Sequence, residues 1–127
     1  MNPLTTEWVE KAEGDFATAG RELRARRQPN YDAVCFHAQQ TAEKYLKAFL
    51  HENGIIFPKT HNLIELLEQC LPLDASFESQ RKLLVLLDRY AVRYRYPGEM
   101  ADKTEAQQTF RAIKMVREFA RKKLGVW

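Results

Sequence analysis

Apolar residues recur every three or four positions in five stretches of the chain, and this periodicity constrains the fold more than any other feature. Such spacing places apolar side chains on one face of an α-helix. The only β-branched cluster that could suggest a strand, Ile55-Ile56, is too short. Glycine and proline separate the stretches, at Pro29, Gly54, Pro58, Pro72 and the pair Pro97-Gly98. The sequence therefore predicts an all-α fold, an up-and-down bundle of four to five helices.

Capping residues indicate where these helices begin and end. Asn30, Ser76 and Asp102 can each accept hydrogen bonds from the first N–H groups of a helix, and Glu105 stands at capping-box spacing from Asp102. Gly54 can stop the second helix in the left-handed conformation. The expected helices run over about residues 6–26, 30–53, 61–71 and 76–96, with a last helix from residue 102 onward.

Length and composition predict one helical domain over residues 1–127. The chain is 45% hydrophobic and 29% charged, proportions typical of a packed globular domain. Cys35 and Cys70 have no CxxC spacing and lie in apolar stretches, which favours buried free thiols and a reducing compartment. No run approaches the roughly 18 apolar residues of a membrane span. We therefore expect a cytoplasmic protein without a membrane anchor.

Several kinds of chemistry have no matching motif. His37, His51 and His61 are ten or more residues apart and form no metal-binding motif, so no metal or other cofactor is expected. The five glycines do not form a phosphate-binding loop. His37 lies two positions from Cys35, so the two side chains do not share a helical face as a nucleophile and its base would. No catalytic residue is predicted.

The segment from Arg89 to Pro97 combines arginines and tyrosines at helical spacing. Arginine binds phosphate through paired N–H groups, and tyrosine can stack on a base, so the pattern is typical of nucleotide or RNA binding. In the alternative, Tyr90 and Tyr94 continue the core face and Arg89 is solvated. The residues expected to bind are Arg93, Arg95 and Tyr96.

A second group of cations lies near the C-terminus. It contains one carboxylate, Glu118, and six basic residues, Arg111, Lys114, Arg117, Arg121, Lys122 and Lys123. Such a cluster can contact phosphates. Cations at the end of a helix also complement the helix dipole without any ligand. The sequence leaves both interpretations open.

Four motifs, taken together, resemble the prokaryotic HEPN family over nearly the whole chain. They are Trp8-x-x-Lys11-Ala12-x-x-Asp15, Phe36-His37-Ala38-Gln39-Gln40-x-Ala42-Glu43-Lys44-x-Leu46-Lys47-Ala48, Thr60-His61-Asn62-Leu63 and Arg93-Tyr94-x-Tyr96-Pro97. The resemblance implies a four-to-five-helix bundle, often a homodimer. It also implies pairing with a minimal nucleotidyltransferase in a toxin–antitoxin or related two-component system. Many relatives are metal-independent ribonucleases.

The chain departs from the ribonuclease signature of that family, in which a histidine follows an arginine after four to six residues. No arginine here has such a histidine, and none occurs after His61. This favours a non-catalytic role in binding a nucleotide or RNA, or as a partner subunit. The expected ligand residues are Arg93, Arg95, Tyr96, His37, Gln40, Lys44 and His61.

Alternatives remain for these residues and for the function. His37 can hydrogen-bond inside a helix interface, Gln40 and Lys44 can be solvated, and His61 can cap the third helix. A ribonuclease in which His37 or His61 replaces the missing histidine opposite Arg93 is the second functional hypothesis. A purely oligomeric scaffold is the third.

Overall fold

The computed structural model describes residues 1–57, 59–90 and 97–126. Over these residues the prediction of an all-α protein is confirmed, with five α-helices and no strand. A 3₁₀ helix, Ala75–Gln80, directly precedes α4. The α-helices are α1 (Pro3–Arg24), α2 (Tyr31–Glu52), α3 (Leu63–Cys70), α4 (Arg81–Asp88) and α5 (Lys103–Leu124).

Two of the predicted N-caps are confirmed. The Asn30 side chain accepts a hydrogen bond from the Ala33 N–H at 3.0 Å and starts α2. The Asp102 carboxylate accepts one from the Glu105 N–H at 2.7 Å and starts α5. Both side chains satisfy N–H groups that have no partner within the helix, which is why these ends could be read from the sequence.

Other helix ends differ from the predictions. The first helix begins earlier than residue 6, because Asn2 caps it and proline fits its first position. The third begins after Asn62, whose side chain caps it, instead of at His61. The cap predicted at Ser76 is wrong, since the Asp74 carboxylate accepts from the Ser76 N–H at 3.0 Å and starts the 3₁₀ helix. The last part of the predicted fourth helix, residues 91–96, lies outside the described residues.

The first two helices form an antiparallel pair. The Asn2 N–H, at the start of α1, donates to Glu52 Oε1 at the end of α2 at 3.1 Å. At the other end of the pair, the Asn30 N–H donates to Glu22 Oε2 at 3.1 Å. The residues between the two helix ends are thus a short reversal of the chain, as expected for neighbours in a bundle.

Helix α5 lies alongside α2 and runs in the same direction. Cys35 Sγ is 3.6 Å from Thr109 Oγ1, and ten residues further along α2 the Tyr45 hydroxyl accepts from Arg121 Nη1 at 3.0 Å. The contacting residues therefore follow one another in the same order along α2 and α5, so the two helices are parallel. The buried thiols confirm the prediction for Cys35 and Cys70, and burial raises their pKa values to about 11 and about 12.

The connection between α2 and α3 runs back along α2. Phe57 lies beside Trp8 and Lys47, with its ring centre 5.8 Å from the lysine Nζ. Further along, the His61 carbonyl accepts from Gln39 Nε2 at 2.9 Å, although α2 does not end until Glu52. Helix α3 thus begins beside the middle of α2, and at this connection the chain departs from simple up-and-down order.

The main core lies between α2, α3, α4 and α5. Its largest fully buried apolar side chains are Leu46, Leu50, Leu63, Leu66, Leu67, Phe77, Leu84, Leu87 and Ile113. Each helix presents an apolar face to this core and polar side chains elsewhere, which is the pattern that the sequence predicted. Across the described ranges, no helix combines the length and apolar character needed to span a bilayer.

Candidate functional site

His37 and Lys44 of α2 share one carboxylate from α1. His37 Nδ1 lies 2.7 Å from Asp15 Oδ1, and Lys44 Nζ donates to the other oxygen, Oδ2. The two α2 residues are seven positions apart and face the same side of the helix. Both side chains are partly exposed, whereas that of Asp15 is nearly covered. Asp15 therefore orients both candidate residues.

His61 is held by a second carboxylate, which is buried. Its Nδ1 lies 2.8 Å from Glu43 Oε1, and Lys47 Nζ donates to Glu43 Oε2 at 3.1 Å. The Glu43 side chain is only 4% exposed and that of Lys47 8%, whereas the His61 side chain is 73% exposed. A buried carboxylate must be paired or hydrogen-bonded. Glu43 thus fixes an imidazole whose other nitrogen, Nε2, remains available on an exposed ring.

Gln40 connects the two groups. Its Nε2 donates to Gln39 Oε1 at 2.7 Å, and Gln39 Nε2 donates in turn to the His61 carbonyl at 2.9 Å. Gln40 also lies about one helical turn from both His37 and Lys44. The four candidate residues that the structure describes are therefore contiguous. We call them the α2–α3 polar surface, composed of His37, Gln40, Lys44 and His61.

The remaining candidates, Arg93, Arg95 and Tyr96, lie outside the described residues. The chain leading to them is well anchored. Asp88 Oδ1 accepts from the Leu63 N–H at 2.9 Å, which joins the end of α4 to the start of α3 two residues after His61. Tyr90 is buried in a cluster with Val34 near the start of α2. Asp88 and Tyr90, which come shortly before the undescribed residues 91–96, thus lie next to α3 and α2, respectively.

Three residues that orient the surface belong to the family motifs, but the sequence alone predicts no role for them. They are Asp15, Gln39 and Glu43. A local signal existed for Glu43, because Glu43 and Lys47 are four apart on the helical face that buries Leu46 and Leu50, and a charged pair among leucines is unusual. Nothing local indicated Asp15 as the partner of His37, since the two lie on different helices.

The described part of the chain contains no group of three or more His, Cys, Asp or Glu side chains that could hold a metal ion. Neither thiol is placed for nucleophilic chemistry. Burial raises the pKa of both, and a thiol that stays protonated is a poor nucleophile. The chemistry of the α2–α3 polar surface is therefore that of oriented imidazole, ammonium and amide groups, which donate hydrogen bonds to anionic or polar ligands.

Comparisons with known proteins agree with this helical arrangement. The family model described as HEPN domain matches residues 5–123. The chain is also similar in structure to the protein TT1696 from Thermus thermophilus, known from a crystal structure, with a TM-score of 0.79 and 24% sequence identity. That alignment covers 94% of this chain and 97% of the other, and at this identity it shows a shared fold. No curated protein matches the chain significantly.

Proposed function

Because the chain belongs to the HEPN family, we propose that it is a non-catalytic subunit that binds a nucleotide or RNA. In this proposal it pairs with a minimal nucleotidyltransferase in a two-component system of the toxin–antitoxin kind. It works in the cytoplasm as a homodimer. The absence of the arginine–histidine spacing typical of the family's ribonucleases supports the non-catalytic role.

The observation that carries the proposal is the continuity of the α2–α3 polar surface. His61 is oriented by buried Glu43, and a hydrogen-bonded path through Gln39 links it to Gln40. Side chains fixed in this way lose little conformational freedom when a ligand binds. A surface built only for solubility does not need a buried carboxylate beneath its most exposed histidine.

The proposed ligand contacts follow from the chemistry of each group. Arg93 and Arg95 hold phosphate oxygens through paired N–H groups, and Tyr96 stacks on a base. His61 and Lys44 add hydrogen bonds to phosphate or sugar. Asp88 joins the end of α4 to the start of α3, close to His61. This contact supports the proposal because Arg93, Arg95 and Tyr96 follow α4 in the sequence.

The test is calorimetric titration of ATP and of a short RNA into the wild type, Arg93→Ala and His61→Ala. Loss of a charge-assisted hydrogen bond costs about 1.5–3 kcal/mol, so each variant should bind at least about tenfold more weakly. Arg26→Ala removes an exposed arginine two residues after the end of the first helix and should bind like the wild type. Co-purification with a co-expressed nucleotidyltransferase encoded by a neighbouring gene tests the partner role.

Two results would contradict the proposal. One is a wild-type protein that binds neither nucleotide nor RNA and does not associate with the transferase. The other is equal weakening in Arg93→Ala, His61→Ala and Arg26→Ala, which would indicate a nonspecific charge effect.

The second candidate function is a ribonuclease, and the Glu43–His61 contact favours it. A carboxylate at Nδ1 holds an imidazole in the orientation and tautomer of a general acid or base, with Nε2 directed elsewhere. His61 would then act opposite Arg93 in cleavage assisted by the RNA 2′-hydroxyl. His37, whose Nδ1 contacts Asp15, is the other histidine of this kind.

The same samples decide between the two functions. Incubating them with total RNA should give no cleavage if the protein only binds. Cleavage by the wild type that is lost in both Arg93→Ala and His61→Ala, and retained in Arg26→Ala, would replace the binding proposal with the ribonuclease.

A further inference from the structure

A groove on the second half of α5 carries an excess of positive charge. It encloses about 380 Å³ and is lined by Phe16, Lys114, Arg117, Glu118, Arg121, Lys122 and Val126. We call it the α5 basic groove. It shares no residue with the α2–α3 polar surface. Among the residues that the structure describes, its lining holds four cations and the carboxylate of Glu118, and Glu13 lies beneath it.

Two of the cations are fixed by Glu13 of α1. Arg117 binds this carboxylate through Nε at 2.8 Å and Nη2 at 2.6 Å. Arg121 Nη1 lies 3.6 Å from Glu13 Oε1 and donates to the Tyr45 hydroxyl. These contacts hold both guanidinium groups in place along the groove.

The other two cations are exposed. Lys114 is exposed on α5, and Lys122 Nζ lies 3.8 Å from Glu118 Oε1, with both side chains more than half exposed. An ion pair at this distance and exposure contributes little to the free energy of folding. Both lysines can therefore exchange solvent for an anionic ligand at small cost.

Among the described residues that line the groove, the aromatic ring is that of Phe16, and it already has partners. Phe16 stacks on Phe110 with ring centres 5.2 Å apart and planes 13° apart. The Arg117 guanidinium also lies 4.5 Å from the Phe16 ring centre. Because the Phe16 ring already contacts another ring and a cation, recognition in the groove depends on phosphate charge.

The cations also form a row too long for one phosphate group. Lys114, Arg117 and Arg121 follow one another by three and four positions on one side of α5, and the outer two are about 10 Å apart along the axis. None of the described residues that line the groove is a large, exposed apolar side chain that could insert into a bilayer. Both features favour an extended polyanion over a lipid surface or a single phosphate.

We propose that the α5 basic groove binds the phosphate backbone of RNA. The inference adds a second binding surface to the proposed function and does not depend on the ligand of the α2–α3 polar surface. The interaction is electrostatic and therefore strongly dependent on salt, because neutralised phosphates release counterions.

The experiment is fluorescence anisotropy with a labelled single-stranded RNA of mixed sequence, in a series of KCl concentrations. The test variant is Lys114→Ala/Lys122→Ala, which leaves both arginines on Glu13. Removing two contacts should lower the slope of log affinity against log salt by about 1.4, which is about 25-fold in affinity at 0.1 M KCl. The control is Lys82→Ala/Lys103→Ala, an equal loss of charge at exposed positions outside the groove, and it should retain most of the affinity.

A second variant changes the affinity in the opposite direction. Glu118→Gln removes the carboxylate that lines the groove, so RNA should bind more tightly and with a steeper salt dependence. Glu118 is 72% exposed, and its replacement does not disturb the core.

Three outcomes would overturn the inference. They are wild-type protein that does not bind the RNA at 50 mM KCl, equal losses in the groove and control variants, and binding to vesicles with anionic lipid in place of RNA. ATP titration separates this inference from the proposed function. Unchanged ATP binding in the groove variant, with weaker RNA binding, supports the groove, whereas absence of ATP binding in the wild type counts only against the α2–α3 polar surface.

Discussion

At the scale of single residues, the most informative side chain is Glu43. It is buried with Lys47 and contacts His61, so one buried ammonium group and one titratable ring depend on this carboxylate. Transfer of a carboxylate and an ammonium from water is costly, and their mutual attraction compensates only while both are present. Glu43 therefore matters to stability as the countercharge of the buried Lys47, and it also fixes the orientation of His61.

Replacement of Glu43 by glutamine tests this dependence. Glu43→Gln retains the size of the side chain but leaves the buried Lys47 ammonium without a countercharge, which should lower the free energy of unfolding by about 3 kcal/mol. Urea denaturation followed by circular dichroism measures the loss. The control is Glu68→Gln, which breaks an exposed pair with Arg81 and should have a much smaller effect. Equal losses in the two variants would contradict the role of Glu43.

At the scale of secondary structure, local chemistry determined most helix ends. Asn30 and Asp102 cap their helices as predicted, and Gly54, just beyond the end of α2, has a φ of 72°. The cap predicted at Ser76 failed because the Asp74 carboxylate, two residues earlier, accepts hydrogen bonds from both the N–H and the hydroxyl of Ser76 and starts the 3₁₀ helix. Competing caps so close together cannot be ranked from sequence.

Two glycine substitutions should have opposite effects on stability. Gly14 lies inside α1 with open space around its Cβ position, so Gly14→Ala should raise the free energy of unfolding by about 0.5–1 kcal/mol. Gly54 also has open space, but its positive φ disfavours a side chain, so Gly54→Ala should lower it by about 1 kcal/mol. Thermal and urea unfolding of both variants measure the difference. Changes of the same sign would contradict this account.

At the scale of the whole molecule, Glu13 joins three helices. From α1 it accepts two hydrogen bonds from Arg117 of α5 and one from the Tyr45 hydroxyl of α2. The bond from Arg117 is the largest cause of the lowered pKa of Glu13, and burial only partly opposes it. Burial and the Glu13 contact raise the pKa of Tyr45 to about 12.

The lowered pKa of Glu13 predicts a pH-dependent stability. The carboxyl group of Glu13 binds its proton less tightly in the folded state than in the unfolded state. Its contribution to the free energy of unfolding is therefore complete above its ordinary pKa near 4.5. It is lost as the pH falls through the lowered folded value. Unfolding free energies between pH 6 and pH 3 should therefore fall less steeply in Glu13→Gln than in the wild type. Glu10→Gln, at an exposed position of the same helix, should retain the wild-type slope, and a wild-type slope in Glu13→Gln would contradict the prediction.

The sequence by itself determined the helical class, the approximate helices and two of their caps. Periodicity and capping depend on residues within a few positions of one another, so they can be read locally. Which carboxylate orients which histidine depends on the tertiary fold, because His37 meets Asp15 across 22 positions and His61 meets Glu43 across 18. Those contacts require the pairing of α1 with α2 and the return of the chain along α2 before α3, which depend on side-chain packing among distant residues. The roles of Arg93, Arg95 and Tyr96 remain predictions from the sequence.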